Sequence, residues 1–356
     1  MRIFIDIGHP AHVHYFRNFI KLMQDKGHEF FISARDKEVS LNLLNKYNIP
    51  YYNRGKGSSN LLGKAFYMIK ADLSLYTRAK IFKPDLFLSF ASPYAAQIAK
   101  IMRKPHIAFT DTENAKLGIL SFAPFTDCII TPDSFKKDFG EKHVRFKGFM
   151  ELCYLHPIRY AANINVLTEI GVSESEHFAI VRFVSWGANH DIGQTGISDL
   201  SKVKIVQELS KLIKVLISSE GDIPAEIGEY RLKISPSKMH DLLSYATLYI
   251  GEGATMASEC AVLGTPAIYV NSLTSGTVER QEKFGLLYGY RQSEGVLEKA
   301  MELFKTSDLK TEYRNRRNVL LTQCIDVTSF MVWFVENYPG SLKIMKENPE
   351  YQERFN

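Results

Sequence analysis

A chain of 356 residues is too long for one ordinary hydrophobic core, so two domains are expected. Hydrophobic residues make up 45% and charged residues 23%, as in ordinary globular proteins, and no apolar run reaches the length of a membrane span. The net charge of +5 comes from 44 basic and 39 acidic residues. This mild and evenly spread excess argues against a nucleic-acid partner and leaves open a weak, peripheral attraction to an anionic membrane.

The cysteines and the N-terminus indicate a compartment. Cys128, Cys153, Cys260 and Cys324 are scattered without metal-binding spacing, so buried thiols are predicted rather than a disulfide or zinc framework. The chain enters a predicted strand at once, which is not typical of a secretory signal. A cytoplasmic location is therefore predicted, with peripheral contact at the inner face of the membrane left open.

Strand and helix patterns alternate through the first half of the chain. Strands are predicted at 2–7, 29–33, around 51, 86–90, 106–109 and 128–131, and helices at 13–26, 36–47, 61–81 and 94–102. Strands separated by helices predict a parallel sheet covered by helices. The periodicity weakens between 148 and about 165, where we place a linker.

The same alternation restarts in the second half. Strands are predicted at 178–184, 214–218, 247–250 and 267–270, and helices at 199–210, 236–245, 255–263 and 278–284, with helical patterns over 292–305 and 309–348. We therefore predict one α/β domain over 1–155 and a second over 165–325, with helices in 326–356 packing back on the first.

The most informative motif is a glycine turn between a predicted strand and a helix. It reads Gly251, Glu252 and Gly253, followed by Ala254, Thr255 and Met256 in the first helical turn. Glycines let the backbone approach an anion, and the N–H groups and positive end of the helix hold it. Glu259 lies about two turns into the helix, where its carboxylate could bind a ribose diol. The alternative is a plain tight turn with Glu259 solvated, because short glycine motifs match by chance.

Further candidates for the same ligand lie near other strand ends in the second half. Arg182 could neutralise a diphosphate, Trp186 could line the site, and His240 could lie near the base. Arg280 and Glu282 follow the strand at 267–270, at the edge where open parallel sheets bind ligands. The alternatives are a core position for Trp186 and ordinary packing for His240.

A second glycine turn joins the first strand to the first helix. Gly8 is followed by His9 and His12, either of which could be a general base or a hydrogen-bond donor. Asp6 is the one carboxylate nearby, so no metal site is predicted. The alternative is a histidine that caps the following helix.

Two acidic residues follow the strand at 106–109. Asp111 and Glu113 could hold an acceptor hydroxyl or move a proton, because they lie at the ligand-binding edge of the predicted sheet. The alternative is an acidic first turn that caps a helix.

These motifs carry a resemblance to known families. Gly251–Pro266 with 277–282 resembles the non-hydrolysing UDP-N-acetylglucosamine 2-epimerase, and Gly8–Val13 is similar to the N-terminal turn of GT-B glycosyltransferases such as the one that forms lipid II. Over nearly its whole length the chain resembles domain of unknown function 354, through Gly8–His14, Arg182–Gly193, Met239-His240 and Gly251–Pro266.

The resemblance implies a GT-B architecture, in which two Rossmann-like domains with parallel sheets face a central cleft and C-terminal helices brace the first domain. It also implies that Gly253 to Met256 hold the diphosphate and Glu259 the ribose, with His12 or His9 as the base on the acceptor side.

The function predicted on this basis is glycosyl transfer from a nucleotide sugar, most naturally a UDP-sugar, to a glycan or lipid-linked acceptor in cell-surface polysaccharide or glycolipid synthesis. No tightly bound cofactor and no metal are predicted. An epimerase is the second hypothesis, although Ser89 and Ser185–His190 replace groups that its chemistry would need. A non-catalytic sugar-nucleotide-binding protein is the third.

Overall fold

The structure is a computed structural model that describes residues 1–57, 61–184 and 196–356. The chain divides into two compact units. The first consists of Met1–Tyr154 together with Cys324–Asn356, and the second consists of Leu155–Gln323.

The first unit is built on a parallel sheet of seven strands. The strands are β1 Arg2–Ile7, β2 Glu29–Ala34, β3 Tyr52–Asn53, β4 Leu86–Phe90, β5 His106–Phe109, β6 Cys128–Pro132 and β7 His143–Phe146. The helices are α1 Pro10–Asp25, α2 Ser40–Lys46, α3 Leu61–Phe82, α4 Pro93–Met102, α5 Lys116–Phe122 and α6 Leu152–Leu155, which crosses into the second unit. The helices between strands pack apolar residues against the sheet.

The strand order of the first sheet, β3-β2-β1-β4-β5-β6-β7, reverses direction at β1. Since parallel crossovers are right-handed, α1 and α2 cover one face of the sheet, and α3, α4 and α5 cover the other. The carboxyl ends of β1 and β4 form the switch point, which is where open sheets of this kind bind ligands. The sequence places the Gly8 turn there.

The second unit contains a parallel sheet of five strands in the order β12-β11-β10-β8-β9. The strands are β8 Phe178–Phe183, β9 Lys214–Ser219, β10 Leu248–Gly251, β11 Ala267–Val270 and β12 Leu287–Tyr290. The helices are α7 Asn165–Glu169, α8 Asp199–Ser210, α9 Met239–Tyr245, α10 Ala254–Leu263, α11 Gly276–Lys283, α12 Val296–Phe304 and α13 Leu309–Leu321. This sheet reverses direction between β8 and β10, so its switch point lies beside Gly251.

The C-terminal residues return to the first unit as α14 Val327–Glu336, α15 Gly340–Glu347 and a 3₁₀ helix Pro349–Phe355. Helix α14 starts because the Asp326 carboxylate accepts the N–H groups of Thr328 and Ser329. It packs against α1, and the rings of Phe330 and Phe146 lie 6.2 Å apart.

The predicted architecture is confirmed, since both units are parallel α/β layers and the last helices brace the first. Five short elements, α5, α6, α7, β7 and β12, were not predicted. The helical patterns predicted over 309–348 are confirmed as three helices, α13, α14 and α15, of which α14 begins at the Asp326 cap.

Candidate functional site

Helix α10 begins at the switch point of the second sheet with no side chain capping it. Gly253 occupies the N-cap position with extended backbone. Because glycine has no side chain, it cannot bond to the N–H groups of the first helical turn, Ala254 to Met256. At the other end, Gly264 stops the helix in the left-handed conformation with φ of 80°. The N-terminal turn therefore presents backbone donors and the positive end of the helix dipole.

The two glycines of this turn are present for different reasons. A Cβ at Gly251 would lie 2.8 Å from the Cβ of Arg182 and would also collide with the Tyr249 ring, so packing requires glycine there. Gly253 has φ of −91°, and a Cβ on it would make an ordinary contact of 3.5 Å with Val184. Neither conformation nor packing requires glycine at 253, which is the position closest to the helix donors.

Glu259 is buried and faces His240. Its Oε1 lies 2.9 Å from the Nε2 of His240, and the two side chains are only 7% and 6% exposed. The alternative of a solvated Glu259 is therefore wrong. The pair joins α9 to α10 and holds the carboxylate in one orientation, as a group that binds a diol requires.

Glu252 has a different place from the one predicted. It is 1% exposed, and its two carboxylate oxygens accept the backbone N–H groups of Val184 at 3.0 Å and Ile197 at 2.6 Å. A carboxylate engaged in this way supports the backbone around the site, which argues against direct contact with a ligand.

The remaining candidates of the second unit are arranged around this turn. Arg182 is the register partner of Gly251, and its guanidinium donates to Ser218 and to Glu220. On α11, one strand further along the sheet, lie Arg280, which is half-buried, and Glu282, whose carboxylate accepts the Gly289 N–H. Trp186 lies outside the described residues.

In the first unit, a buried ion pair lies beneath the Gly8 turn. Asp6 is fully buried, and its carboxylate accepts bonds from Ser33 at 2.5 Å, from Ser92 at 2.6 Å and from the Arg54 Nε at 3.0 Å. The guanidinium of Arg54 also lies over the ring of Tyr94, 4.4 Å from its centroid. The network ties the ends of β1, β2 and β4 together, and Asp6 is a structural anchor rather than a turn cap.

The two candidate histidines are held by backbone donors. Nδ1 of His9 accepts the Ala11 N–H at 3.2 Å and so caps α1, and Nδ1 of His12 accepts the Gly8 N–H at 3.2 Å. Burial, together with nearby His9, Lys37 and Arg54, lowers the pKa of His12 well below its usual range. A neutral His12 that accepts at Nδ1 carries its proton on Nε2, so this geometry favours a hydrogen-bond donor and argues against the predicted base.

The remaining candidate for proton transfer in the first unit is Asp111. Burial, assisted by the nearby Glu113 carboxylate, raises the pKa of Asp111 to about 6. Helix α5 begins after Ala115 without a side-chain cap, so the alternative that these acids cap it is wrong. Glu113 is 7% exposed and accepts the backbone N–H of Lys136 at 3.2 Å, so Asp111 is the more accessible of the two.

The Gly8 turn and the Asp111 segment are linked through β4. The ring of His12 packs on Phe90, with centroids 4.8 Å apart, and Phe90 is the register partner of Phe109 at the end of β5. Asp111 follows Phe109 closely. The structure thus gathers the acceptor-side candidates along one edge of the first sheet.

A residue that the sequence did not single out belongs to this edge. Asp72 of α3 is half-buried, and its Oδ1 has no hydrogen-bond partner in the described part of the chain. Burial, followed by the charge of Asp6, raises the pKa of Asp72 to about 7. No local motif marks Asp72; its position becomes visible only in the folded chain, where Asp72 lies near the charge of Asp6 and Ser74 of the same helix bonds to Tyr52 of β3.

Asp72→Asn is expected to stabilise the protein above neutral pH. The pKa of Asp72 in the folded chain lies above the unfolded value of about 3.9. Protonation of the Asp72 carboxyl therefore stabilises the fold. This stability is fully present below the unfolded pKa and is lost as the pH rises through about 7. Allowing for partial exposure, we expect a gain on the order of 1 kcal/mol at pH 8 and a smaller gain at pH 5, where the carboxyl is already ionised in the unfolded chain but still protonated in the folded one. Thermal unfolding at both pH values tests this, with Asp222→Asn, at an exposed loop position, as the control. An equal gain at both would contradict it.

Two further features bear on the chemistry. Within residues 1–57, 61–184 and 196–356, no three histidine, cysteine or acidic side chains are grouped so that they could hold a metal ion. Over the same ranges, no helix has both the length and the apolar composition needed to cross a bilayer.

Solved structures with this fold share it across nearly their whole length. MnaA of S. aureus, solved with UDP, matches with a TM-score of 0.71 and 12% identity over 96% of this chain and 97% of that one. The UDP-GlcNAc 2-epimerase of Neisseria meningitidis, bound to UDP-GlcNAc, matches with a TM-score of 0.65 and 12% identity over 95% of this chain and 100% of that one. The Streptomyces sp. SF2575 glycosyltransferase SsfS6, complexed with thymidine diphosphate, matches with a TM-score of 0.62 and 14% identity over 95% of this chain and 99% of that one.

At these identities the likeness shows the fold alone, which is the GT-B architecture. In sequence, the chain is 25% identical to the uncharacterized protein MJ0665 of Methanocaldococcus jannaschii over 279 residues, which are 75% of this chain and 80% of that protein. The model of the family described as protein of unknown function DUF354 matches residues 1–322, and the chain therefore belongs to that family.

Proposed function

We propose that the protein is a glycosyltransferase that uses a nucleotide sugar as its donor. The observation that carries this proposal is the start of α10, where a helix without a side-chain cap, Gly253 and the buried Glu259–His240 pair meet at the switch point of the second sheet. Backbone donors suited to a diphosphate and a fixed carboxylate suited to a ribose lie on one helix, about two turns apart.

The nucleotide is a pyrimidine nucleoside diphosphate in this proposal. Similar folds have been solved with UDP, UDP-GlcNAc and thymidine diphosphate, and the UDP-sugar is the first choice for this chain. The acceptor is a hydroxyl of a glycan or of a lipid-linked sugar in cell-surface polysaccharide or glycolipid synthesis.

In the proposed reaction, the first unit supplies the base and the second unit stabilises the leaving diphosphate. The Asp111 carboxylate removes the proton from the acceptor hydroxyl, whose oxygen then forms a bond to the anomeric carbon of the sugar. The bond from that carbon to the diphosphate oxygen breaks, and the departing negative charge is stabilised by the first turn of α10. No metal is needed for this proposal.

The test is a calorimetric titration of UDP, thymidine diphosphate and their common sugars into the wild type and Gly253→Ser. Serine is a favoured N-cap, so the variant should melt at the same temperature as the wild type or higher. Its hydroxyl would occupy the N–H groups offered to the diphosphate, so nucleotide affinity should fall by roughly tenfold or more. Saturable binding that Gly253→Ser leaves unchanged, or no binding by the wild type, would reject this site.

An epimerase is the second candidate, favoured by the fold shared with the UDP-GlcNAc 2-epimerase of Neisseria meningitidis. Such an enzyme converts its nucleotide sugar without an acceptor, so donor consumption in the absence of any acceptor would favour it. Binding with no turnover under either condition would favour a sugar-nucleotide-binding protein.

A further inference from the structure

One face of the first unit combines exposed aliphatic side chains with basic residues. Helices α3, α4 and α5 cover this face, and α4 packs against both of the others. The exposed aliphatic side chains are Ile69 (59% exposed), Leu73 (64%), Ile81 (76%), Ile101 (64%), Leu117 (78%) and Leu120 (66%). We call these helices' outward surface the α3–α5 surface.

The spacing of these residues places them on the solvent side of their helices. Leu117 and Leu120 are three apart on α5, whose Ile119 and Phe122 pack inward with Ala96 of α4. On α3, Leu73 points outward while Leu75 is fully buried in the core. Single exposed leucines are normal in proteins, but three adjacent helices that all expose aliphatic side chains mark an interaction surface.

The charge on these helices has one sign. Segments 61–83, 93–104 and 116–122 contain nine basic residues and one acidic residue. Seven of the basic side chains are exposed, namely Lys70, Lys80, Lys83, Lys100, Arg103, Lys104 and Lys116. The acidic residue is Asp72, which is half-buried beside Asp6 and Arg54 and does not offset them at the surface. The whole chain has a net charge of only +5, so the positive charge is concentrated here, and the even spread expected from the sequence is wrong.

We propose that the α3–α5 surface docks on an anionic lipid bilayer. Aliphatic side chains that enter the headgroup region, surrounded by lysine and arginine that attract acidic lipids, are the features that hold a peripheral protein on such a surface. A protein partner would have to match a surface whose exposed charges are almost all positive, whereas an anionic bilayer supplies that match without a specific fold.

The location has a consequence for the acceptor. Helix α5 begins at Lys116, shortly after Asp111, so a bilayer that holds α5 lies near the proposed base. A lipid-linked acceptor is then favoured over a free glycan. This consequence rests on the proposed function, whereas docking itself does not.

The experiment is flotation of the full chain, without nucleotide, with vesicles of phosphatidylcholine alone or of phosphatidylcholine and phosphatidylglycerol in equal parts. We expect binding to the anionic vesicles only, weakened by added salt. Leu117→Ser with Leu120→Ser should lower partitioning by roughly tenfold or more. Lys100→Gln, Arg103→Gln and Lys104→Gln together should lower it on the order of a hundredfold.

The matched control is Leu200→Ser, which removes a leucine that is 86% exposed on α8 of the second unit and should leave partitioning unchanged. Circular dichroism establishes that each variant is folded. The proposal fails if the wild type binds neither kind of vesicle, or if Leu200→Ser is as harmful as the α5 variant. It also fails if sedimentation shows a dimer for the wild type and a monomer for the variant with Leu117→Ser and Leu120→Ser, because the α3–α5 surface would then join two copies of the chain. Nucleotide titration is independent of all these outcomes, so the two proposals can fail separately.

Discussion

Replacing Asp111 by asparagine is expected to lower turnover of the nucleotide sugar by about a thousandfold while the nucleotide binds as before. Asparagine keeps the shape of the side chain but cannot take a proton, and general-base catalysis contributes about 10²–10⁴-fold. Burial and the neighbouring Glu113 raise the pKa of Asp111 to about 6. Wild-type turnover should therefore rise with pH as this carboxylate ionises and level off above that pKa, and the rise should be absent from the variant.

Glu113→Gln is the informative control for this assignment. The charge of Glu113 helps to raise the pKa of Asp111, so its removal should shift the rising limb to lower pH without abolishing it. Initial rates from pH 5 to 8, with nucleotide affinity measured in parallel, separate the two variants. If Asp111→Asn retains wild-type turnover, or retains the limb, the base is another residue.

The fold was largely predictable because its signals are local. Apolar runs, glycine stops and the alternation of strand and helix patterns act over a few residues, and the motif from Gly251 to Gly264 folds as predicted, with α10 over Ala254–Leu263. The short strand β12 was missed because Gly289 and two partly exposed tyrosines in its four residues break the apolar pattern.

The supporting contacts of the site could not be predicted because they join distant residues. Arg54 reaches Asp6 across 48 positions, and Glu252 accepts the backbone N–H of Val184 across 68. Which oxygen or nitrogen faces which donor depends on the assembled sheets, and one sequence contains no record of that. This is why Glu252 looked like a ligand-binding residue.

The histidines illustrate the same limit at the level of single atoms. The sequence indicates that His9 and His12 lie in a glycine turn at a strand end, and they do. Their role depends on which ring nitrogen has a partner, and in the structure backbone N–H groups bond to Nδ1 of both. The proposed reaction therefore uses Asp111 for proton transfer, and the geometry of His12 suits a donor from its Nε2.

Glu259→Ala is expected to weaken UDP binding by about a hundredfold, because hydrogen bonds from a ribose diol to a buried carboxylate are charge-assisted and each is worth roughly 1.5–3 kcal/mol. The substitution also leaves His240 buried without its carboxylate, so a lower melting temperature is expected and affinity alone does not identify the cause. His240→Ala, which removes the partner and keeps the carboxylate, should cost less affinity.

Comparison of UDP with 2′-deoxy-UDP isolates the ribose contact from the loss of stability. Wild-type protein should prefer UDP by roughly tenfold, since one hydroxyl bonded to a carboxylate is lost in the deoxy compound. Glu259→Ala should bind both nucleotides with equal affinity. The ratio of the two affinities does not depend on how much of the variant is folded, because both nucleotides are titrated into the same preparation. Equal preference in the wild type and the variant would mean that another group holds the ribose. The Glu259–His240 pair would then serve only to join α9 to α10.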